Sequence, residues 1–504
     1  MKRRSLFKVG AVSAFAISST AAHALTLNPS QKWDGEYDVI IVGAGGAGLG
    51  CAIETTDRKL KTLILEKMPF VGGASAICGG QYSAANTPYQ IERGIKDDDE
   101  HFLKNMLDIG GHVNDPELVK AYIKEALSHF IWLSDHGVHP SMVYAPSGMD
   151  VPRAHRFDPA EVVKCMQKYV TDNGAVIMTS TKGERLICDP QTNQICGVKA
   201  SSKGKDLYFK ANKGVLLSAG GFCHNPAMLN RYVPMMKLAA VVAAPGATGD
   251  GINMANSLIV GGLNMALEYG ADTLDTGYVR ASFGYKPNPR HINDFSLIQF
   301  SGAILLNKNG QRFAKESLSY KELGNPTLDQ PEGLGYAVFD DSIREKAMKS
   351  WVGDKVLLEG SDGPNPRAHV FVGKNFADAA AKARLPVEVA LKTVEKYNSD
   401  IQSKGVDSEF GRDSLSSGYG KPVVIPVDKR IYIMPLTSGL MSTCAGVRIT
   451  PKAEVINIFG EKIPHLYAAG EMTGGIHGSA YMTGTAFAKA MCYGRIAGRA
   501  IAEN

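Results

Sequence analysis

The chain's eight cysteines, at positions 51, 78, 165, 188, 196, 223, 444 and 492, include no pair spaced C-x-x-C. This excludes the common paired-cysteine metal motif and the C-x-x-C-H attachment of haem, so no metal site is expected. After the first 24 residues there is no uninterrupted apolar run of the roughly 18 residues that a membrane-spanning helix needs. Internal repeats and low-complexity tracts are also lacking. An excess of one charge is missing too: of the formal +5, four charges come from Lys2, Arg3, Arg4 and Lys8. The remainder is close to neutral, which removes the electrostatic support for nucleic-acid binding. What is present is the composition of an ordinary globular protein, 44% apolar and 21% charged, with 504 residues for two or three domains. Its 54 glycines suit a fold in which backbone approaches a ligand closely.

Residues 1–24 read as an export signal. A basic start leads into a weakly apolar stretch of small residues, and Ala22-His23-Ala24 fits an A-x-A cleavage site. Arg3-Arg4-Ser5-Leu6-Phe7-Lys8 resembles a twin-arginine signal. A periplasmic location follows as the expectation. Such a compartment permits disulfides, but spacing alone does not pair these cysteines.

The first structured element predicted is a buried parallel strand over 37–42, because its residues are continuous and β-branched. Gly43-Ala44-Gly45-Gly46-Ala47-Gly48 follows and opens a small-residue helix to about Thr56, after which 62–65 forms a second strand ending at Glu66. From 115 to 136 apolar residues recur at helical spacing, with Asn114 or Asp115 as the cap, Pro116 in the first turn and Gly137 as the stop. Strand-like runs and turns alternate over 195–222. An irregular stretch over 268–440 interrupts the α/β pattern, which resumes near His465 and ends in an Ala/Gly-rich helix to about Ala502. The expected class is α/β: a Rossmann-like nucleotide domain with a central parallel sheet, built from 35–267 and 441–504, and an inserted α+β capping domain over 268–440.

G-x-G-x-x-G by itself is a weak signal in a glycine-rich chain. Here it follows a strand, opens a helix and is followed by Glu66, the context in which a pyrophosphate meets a helix N-terminus and an acidic side chain meets ribose hydroxyls. Gly43, Gly45, Gly46, Ala47, Gly48 and Glu66 are therefore the candidate nucleotide residues.

Further motifs occur in order: Glu66-Lys67, Gly72-Gly73-Ala74-Ser75, Gly79-Gly80, Ala219-Gly220-Gly221, Thr248-Gly249-Asp250-Gly251 and Ala468-Ala469-Gly470-Glu471. Together they resemble the FAD-binding family that includes succinate dehydrogenases and fumarate reductases, from about residue 35 to the end. The resemblance implies FAD, with Lys67, Gly73, Ala74, Ser75, Gly79 and Gly80 among its contacts. It also implies Ala219, Gly220, Gly221, Thr248, Gly249 and Asp250. Gly470 and Glu471 would lie near the ribityl chain, and Thr485 and Ala486 would open a last helix aimed at the flavin. The loop Ala74-Ser75-Ala76-Ile77-Cys78 lacks the histidine through which some relatives attach FAD, so non-covalent binding is expected.

The same resemblance places Tyr320 and Tyr481 where fumarate reductases carry a proton-donating arginine and a carboxylate-holding arginine. Ser442 falls in the slot of a substrate-binding histidine. Without that cationic clamp a dicarboxylate substrate is disfavoured. The altered pattern is similar to 3-ketosteroid dehydrogenases, whose Asn-Glu-x-x-Ser-Tyr carries a tyrosine base. Here Lys315 replaces the asparagine before Glu316. By that similarity Tyr320 transfers a proton, while Tyr481 and the amide of Gly484 polarise a carbonyl as hydride moves at flavin N5. His155-Arg156 and His477 are further candidates to approach the site. Arg280 and Arg290 are candidate carboxylate partners, although solvated charge is the plainer reading of both.

The resulting expectation is an exported FAD-dependent reductase of a C=C bond conjugated to a carbonyl or aromatic group in a small unsaturated substrate. Electrons would come from a separate c-type cytochrome or another donor protein. Ketosteroid-like desaturation would use the same residues in reverse. A flavoprotein subunit that only transfers electrons is the alternative from another class.

Overall fold

The computed structural model describes residues 25–28, 30–146, 149–256, 270–289, 294–361, 363, 367–416 and 419–504. The export signal expected over 1–24, Arg290 and the expected boundary at 267/268 lie outside the described residues.

The strand predicted at 37–42 spans Gly35–Val42 and the helix after it Gly46–Asp57. Thr62–Leu65 forms the next strand, and all four of its residues are buried. Gly35–Val42 pairs in parallel with Thr62–Leu65 on one side and with Lys205–Leu217 on the other. Val176–Met178 and Lys462–Ala468 extend the parallel arrangement. Thr181–Cys188, Ile195–Ser202 and Lys205–Leu217 form an antiparallel meander on the same sheet, which counts nine strands among the described residues. Val39, Ile40 and Ile41 are wholly enclosed, as expected for strands covered on both faces.

The helix predicted over 115–136 spans Pro116–Asp135. Of the two candidate caps, Asp115 serves: its side chain accepts from Glu117 N at 2.9 Å and Leu118 N at 3.4 Å. The last helix, Thr485–Glu503, packs against Gly46–Asp57. Gly494 makes that approach possible, since a Cβ there would stand 2.1 Å from the carbonyl oxygen of Ala47. Glu54 ties the two helices together through Arg495 and Arg499 at 2.7 and 2.9 Å.

A second sheet has six strands among the described residues, centred on Ile431–Leu440. Leu334–Asp340, Ser282–Tyr285 and Phe371–Gly373 pair with this strand antiparallel, and Ile304–Leu306 pairs with Leu334–Asp340. Ala240–Val241 also joins it, although it precedes the stretch read as the cap. The apolar residues pack into two clusters. One draws on the first sheet and its helices, and the other on residues between Phe283 and Leu436. This is a mixed α/β fold whose central sheet is mostly parallel around the glycine-rich turn.

The second cluster surrounds an ion network. Arg312, enclosed by protein, pairs with Glu316 and Asp407, each at 2.6 Å. Glu316 also accepts from Leu305 N at 3.1 Å, anchoring the segment that leads to Tyr320. Among the described residues no helix is long and apolar enough to cross a membrane, and no group of three His, Cys, Asp or Glu could hold a metal ion. All eight cysteines are free thiols.

Candidate active site

The glycine-rich turn begins at the buried end of Gly35–Val42. Gly43 takes φ +108°, and a Cβ there would stand 2.5 Å from Ser218 O, so a side chain would strain the turn and collide with its neighbour. The turn delivers Gly45 as the N-cap of Gly46–Asp57, where Gly46 N donates to Ser75 Oγ at 3.1 Å and Ala47 and Gly48 continue the first helical turn. Ser75 lies with Gly73 and Ala74 on the short helix Gly73–Ile77. Glu66 closes the far side: its carboxylate accepts from Ala44 N at 2.9 Å and Met68 N at 2.8 Å.

The space beside these loops fits a dinucleotide. A Cβ built on Gly45 or Gly73 would meet nothing nearer than 3.8 or 3.9 Å, and one on Gly220 would meet nothing within 4 Å. The helix N-terminus, the adjacent carboxylate and open glycine backbone are the groups that hold a pyrophosphate and ribose. Ala219, Gly220 and Gly221 follow Lys205–Leu217, so they sit at the same edge of the sheet. Lys67 joins two other candidate residues: its Nζ bonds Thr248 Oγ1 at 2.5 Å and Asp250 Oδ2 at 2.6 Å, and Gly249 lies between those two partners. Gly79 and Gly80 lead into the strand Gln81–Ser83, with Gly80 O accepting from Phe157 N at 2.9 Å.

Glu471, in the turn Gly470–Met472, accepts from Thr443 N at 2.9 Å, and burial raises its carboxyl above the usual range. Thr485 opens the last helix, followed by Ala486; its Oγ1 donates to Met482 O at 2.7 Å and lies 3.4 Å from His477 Nδ1. His477 Nε2 is buried and has no hydrogen-bond partner among the described residues, and burial holds its pKa well below the ordinary value. His477 is thus a neutral imidazole with one nitrogen free for a ligand. His155 is spent on the fold: its Nε2 lies 2.8 Å from Thr87 Oγ1 and its Nδ1 3.2 Å from Tyr82 O. Arg156, beside it, is exposed.

Tyr481 and Gly484 stand on the loop before the last helix, with Gly484 as its N-cap in the left-handed region at φ +88°. Ser83 holds this loop twice, donating its N–H to Gly484 O at 3.2 Å and its hydroxyl to Thr483 O at 2.8 Å. Tyr320 lies in the turn between Ile304–Leu306 and Gly324–Leu328, its carbonyl accepting from Phe283 N at 2.8 Å and its ring edge-on to Phe295 at 5.5 Å. Burial raises the Tyr320 phenol above its usual pKa, and a hydrogen bond from the Thr483 side chain lowers it in part. Burial pushes Tyr481 well up, and both rings flank Lys321, whose Nζ lies 5.7 Å from the centre of the Tyr320 ring and 3.5 Å from that of Tyr481.

A cavity opens at this meeting point, lined by Tyr481, Lys321, His477, Cys444, Asp275 and Arg280 among others. Tyr320 is not part of its wall; the adjacent Lys321 is. Lys321 Nζ donates to Tyr481 O at 2.9 Å and Thr483 Oγ1 at 3.4 Å, and lies 3.5 Å from the centre of the Tyr481 ring. Removal from water lowers its ammonium to about 7. Sequence reasoning missed Lys321, Thr483 and Asp275. The one signal for Lys321 was its adjacency to Tyr320, in a stretch whose charges otherwise read as solvated. Ser442, also in the wall, places its Oγ 2.9 Å from Cys444 Sγ.

The profile of the family described as FAD binding domain matches residues 38–486. A fumarate reductase (cytochrome) of Shewanella frigidimarina is 30% identical over 92% of this chain and 77% of its own length. An NADH:fumarate oxidoreductase of Klebsiella pneumoniae (strain 342) is 28% identical over 98% of this chain, which spans only 50% of that protein. Other relatives include an acrylate reductase flavoprotein subunit of Shewanella woodyi, a urocanate reductase of Eggerthella lenta and a vinyl phenol reductase of Lactiplantibacillus plantarum, at 27%, 28% and 25% identity. Over this chain and the protein in question respectively, they cover 99% and 97%, 92% and 74%, and 93% and 96%. Among solved structures, the open conformation of a flavocytochrome c3 fumarate reductase superposes with a TM-score of 0.77, at 26% identity over 94% of this chain and 79% of that one. A 3-ketosteroid-Δ4-(5α)-dehydrogenase of Rhodococcus jostii RHA1 shares the fold at 0.77, with 23% identity over 96% of this chain and 100% of the other.

Proposed function

Because the chain belongs to the FAD binding domain family, we propose that it is an exported reductase of a C=C bond conjugated to a carbonyl or aromatic group, with electrons delivered by a separate cytochrome or similar donor. FAD, when bound, supplies hydride transfer. Gly45, Gly46 and Glu66 hold its dinucleotide half without a covalent link, and His477 offers its free Nε2 to the bound cofactor or substrate. Tyr320 gives its phenolic proton to the alkene carbon. Tyr481 and the backbone of Gly484 direct donors at the conjugated oxygen as charge develops on it.

One observation supports this reading: the Nζ of Lys321, in the cavity wall, lies 5.7 Å from the ring centre of Tyr320 and 3.5 Å from that of Tyr481, so two phenols far apart in sequence flank one ammonium. Neither phenol is ionised at neutral pH, because burial raises both. An uncharged phenol can donate a proton but makes a poor base, which favours reduction over desaturation. The separate donor protein is inferred from the absent C-x-x-C-H motif together with relatives named as cytochrome-linked.

The test uses the FAD-loaded enzyme, reduced anaerobically with dithionite and mixed with acrylate, urocanate or 4-vinylphenol. Wild-type flavin reoxidises with at least one of them. Tyr320→Phe retains FAD and slows reoxidation by about 100-fold or more, the contribution of a positioned acid. Unchanged rates in that variant would remove Tyr320 from proton transfer, and failure of every conjugated acceptor would favour a flavoprotein that only passes electrons.

A further inference from the structure

The cavity beside Tyr481 contains a cation with no ion-pair partner among the described residues. An ammonium has three N–H groups, and Lys321 directs two at Tyr481 O and Thr483 Oγ1. No carboxylate pairs with it among the described residues. The acidic side chain in the wall, Asp275, already accepts from Gly475 N at 2.6 Å. The other titratable groups around Lys321 are not anions near neutral pH. Burial raises the Cys444 thiol and both the Tyr320 and Tyr481 phenols, and it keeps His477 neutral. Arg280 and Tyr278, exposed at the mouth, add one more positive charge and no negative one. Lys489, enclosed nearby, donates to Thr473 O at 3.1 Å.

We infer that Lys321 is an anion subsite: its ammonium receives the carboxylate of an unsaturated monocarboxylate in which that carboxylate is conjugated to the double bond. This rests on the reductase reading for its chemistry and narrows the substrate from conjugated carbonyl or aromatic compounds to enoates. A cation withdrawn from water without a partner is unfavourable, and an entering carboxylate supplies the missing charge. Arg280 is exposed, and water screens its attraction. Among the described residues lining the cavity, half-buried Lys321 is the shielded cation, and it meets one carboxylate.

The inference has a proton-linked signature. With removal from water lowering the Lys321 ammonium to about 7, the empty site is already charged below that pH and affinity is flat. Above it, the bound carboxylate favours the ammonium and each binding event takes up a proton. Affinity then falls by about tenfold per pH unit until the pKa of the complex is passed.

Calorimetry on the oxidised, FAD-loaded enzyme at pH 8, in buffers of different ionisation enthalpy, reads this uptake directly. Acrylate, crotonate and cinnamate serve as enoates of increasing size, and 4-vinylphenol, neutral at this pH, as the uncharged control. The expected result is uptake approaching one proton per enoate and none with 4-vinylphenol. Lys321→Met abolishes the uptake and weakens the enoate about tenfold or more, while flavin absorbance and melting temperature confirm a folded holoenzyme. Lys321→Arg, always charged, restores binding without uptake. Wild-type binding without uptake, undiminished binding by Lys321→Met, or no binding of any of the three enoates would each overturn the subsite. Proton-linked binding of an enoate that fails to reoxidise the flavin would leave the subsite standing and refute the reductase reading instead.

Discussion

The resemblance to fumarate reductases implies that Tyr320 and Tyr481 stand in slots that carry guanidinium groups there, and we propose that the exchange changes what the site can hold. A phenol offers one hydroxyl and no charge, whereas arginine offers a fixed cationic fork. Tyr481→Phe removes a donor to the developing oxygen while leaving the ring that packs against Lys321. Its expected effect is a fall in turnover of about 100-fold with little change in FAD binding, measured as flavin reoxidation by the best acceptor. Both tyrosines were legible from motif position. Lys321 was not, because no local motif marks it and only the tertiary fold sets its Nζ 3.5 Å from the centre of the Tyr481 ring. His155 was the reverse case: the histidine looked available, and the structure commits its Nδ1 to Tyr82 O in the strand Gln81–Ser83 and its Nε2 to Thr87, the cap of the helix Pro88–Ile91.

Among the elements, the helix Pro116–Asp135 is connected to the site through its cap. Asp115 closes the first turn with its side chain, and its backbone N–H donates to Gly475 O at 2.7 Å, on the stretch that carries His477. Asp115→Ala should cost about 1 kcal/mol of stability, read from chemical denaturation. The backbone bond to Gly475 survives the change, so FAD affinity should hardly move. This helix, the strand Thr62–Leu65 and the glycine turn were readable because periodicity, capping residues and burial all agreed locally. Lys67 was assigned to the cofactor by motif; in the fold its ammonium spans Thr248 and Asp250, a contact across 181 and 183 residues that local sequence does not encode.

At the scale of the molecule the described residues form two apolar cores with the site between their contributions: Tyr320 and Lys321 come from the chain around the second, and Tyr481, Thr483 and His477 from the return to the first. The alternation of patterned and irregular sequence revealed that the chain leaves the nucleotide fold and returns. The strand Ala240–Val241 escaped notice because two residues carry no periodicity, and its place is set by pairing with Gly439 and Leu440. The Arg312 network holds the second core behind Tyr320. Arg312→Met would leave Asp407 enclosed without its cation and Glu316 with Arg412 alone, at 3.6 Å, a loss of about 3–5 kcal/mol. Limited proteolysis should then cut within 283–436 before the first core, whereas uniform cleavage would deny the second core separate dependence on this pair.

The most direct test of the account compares fumarate with singly carboxylated or uncharged conjugated alkenes as oxidants of the anaerobically reduced wild-type holoenzyme. Phenols in place of the arginine clamp predict rapid flavin reoxidation by a conjugated alkene bearing one activating group and little by fumarate. Brisk reoxidation by fumarate, with none by the others, would contradict it.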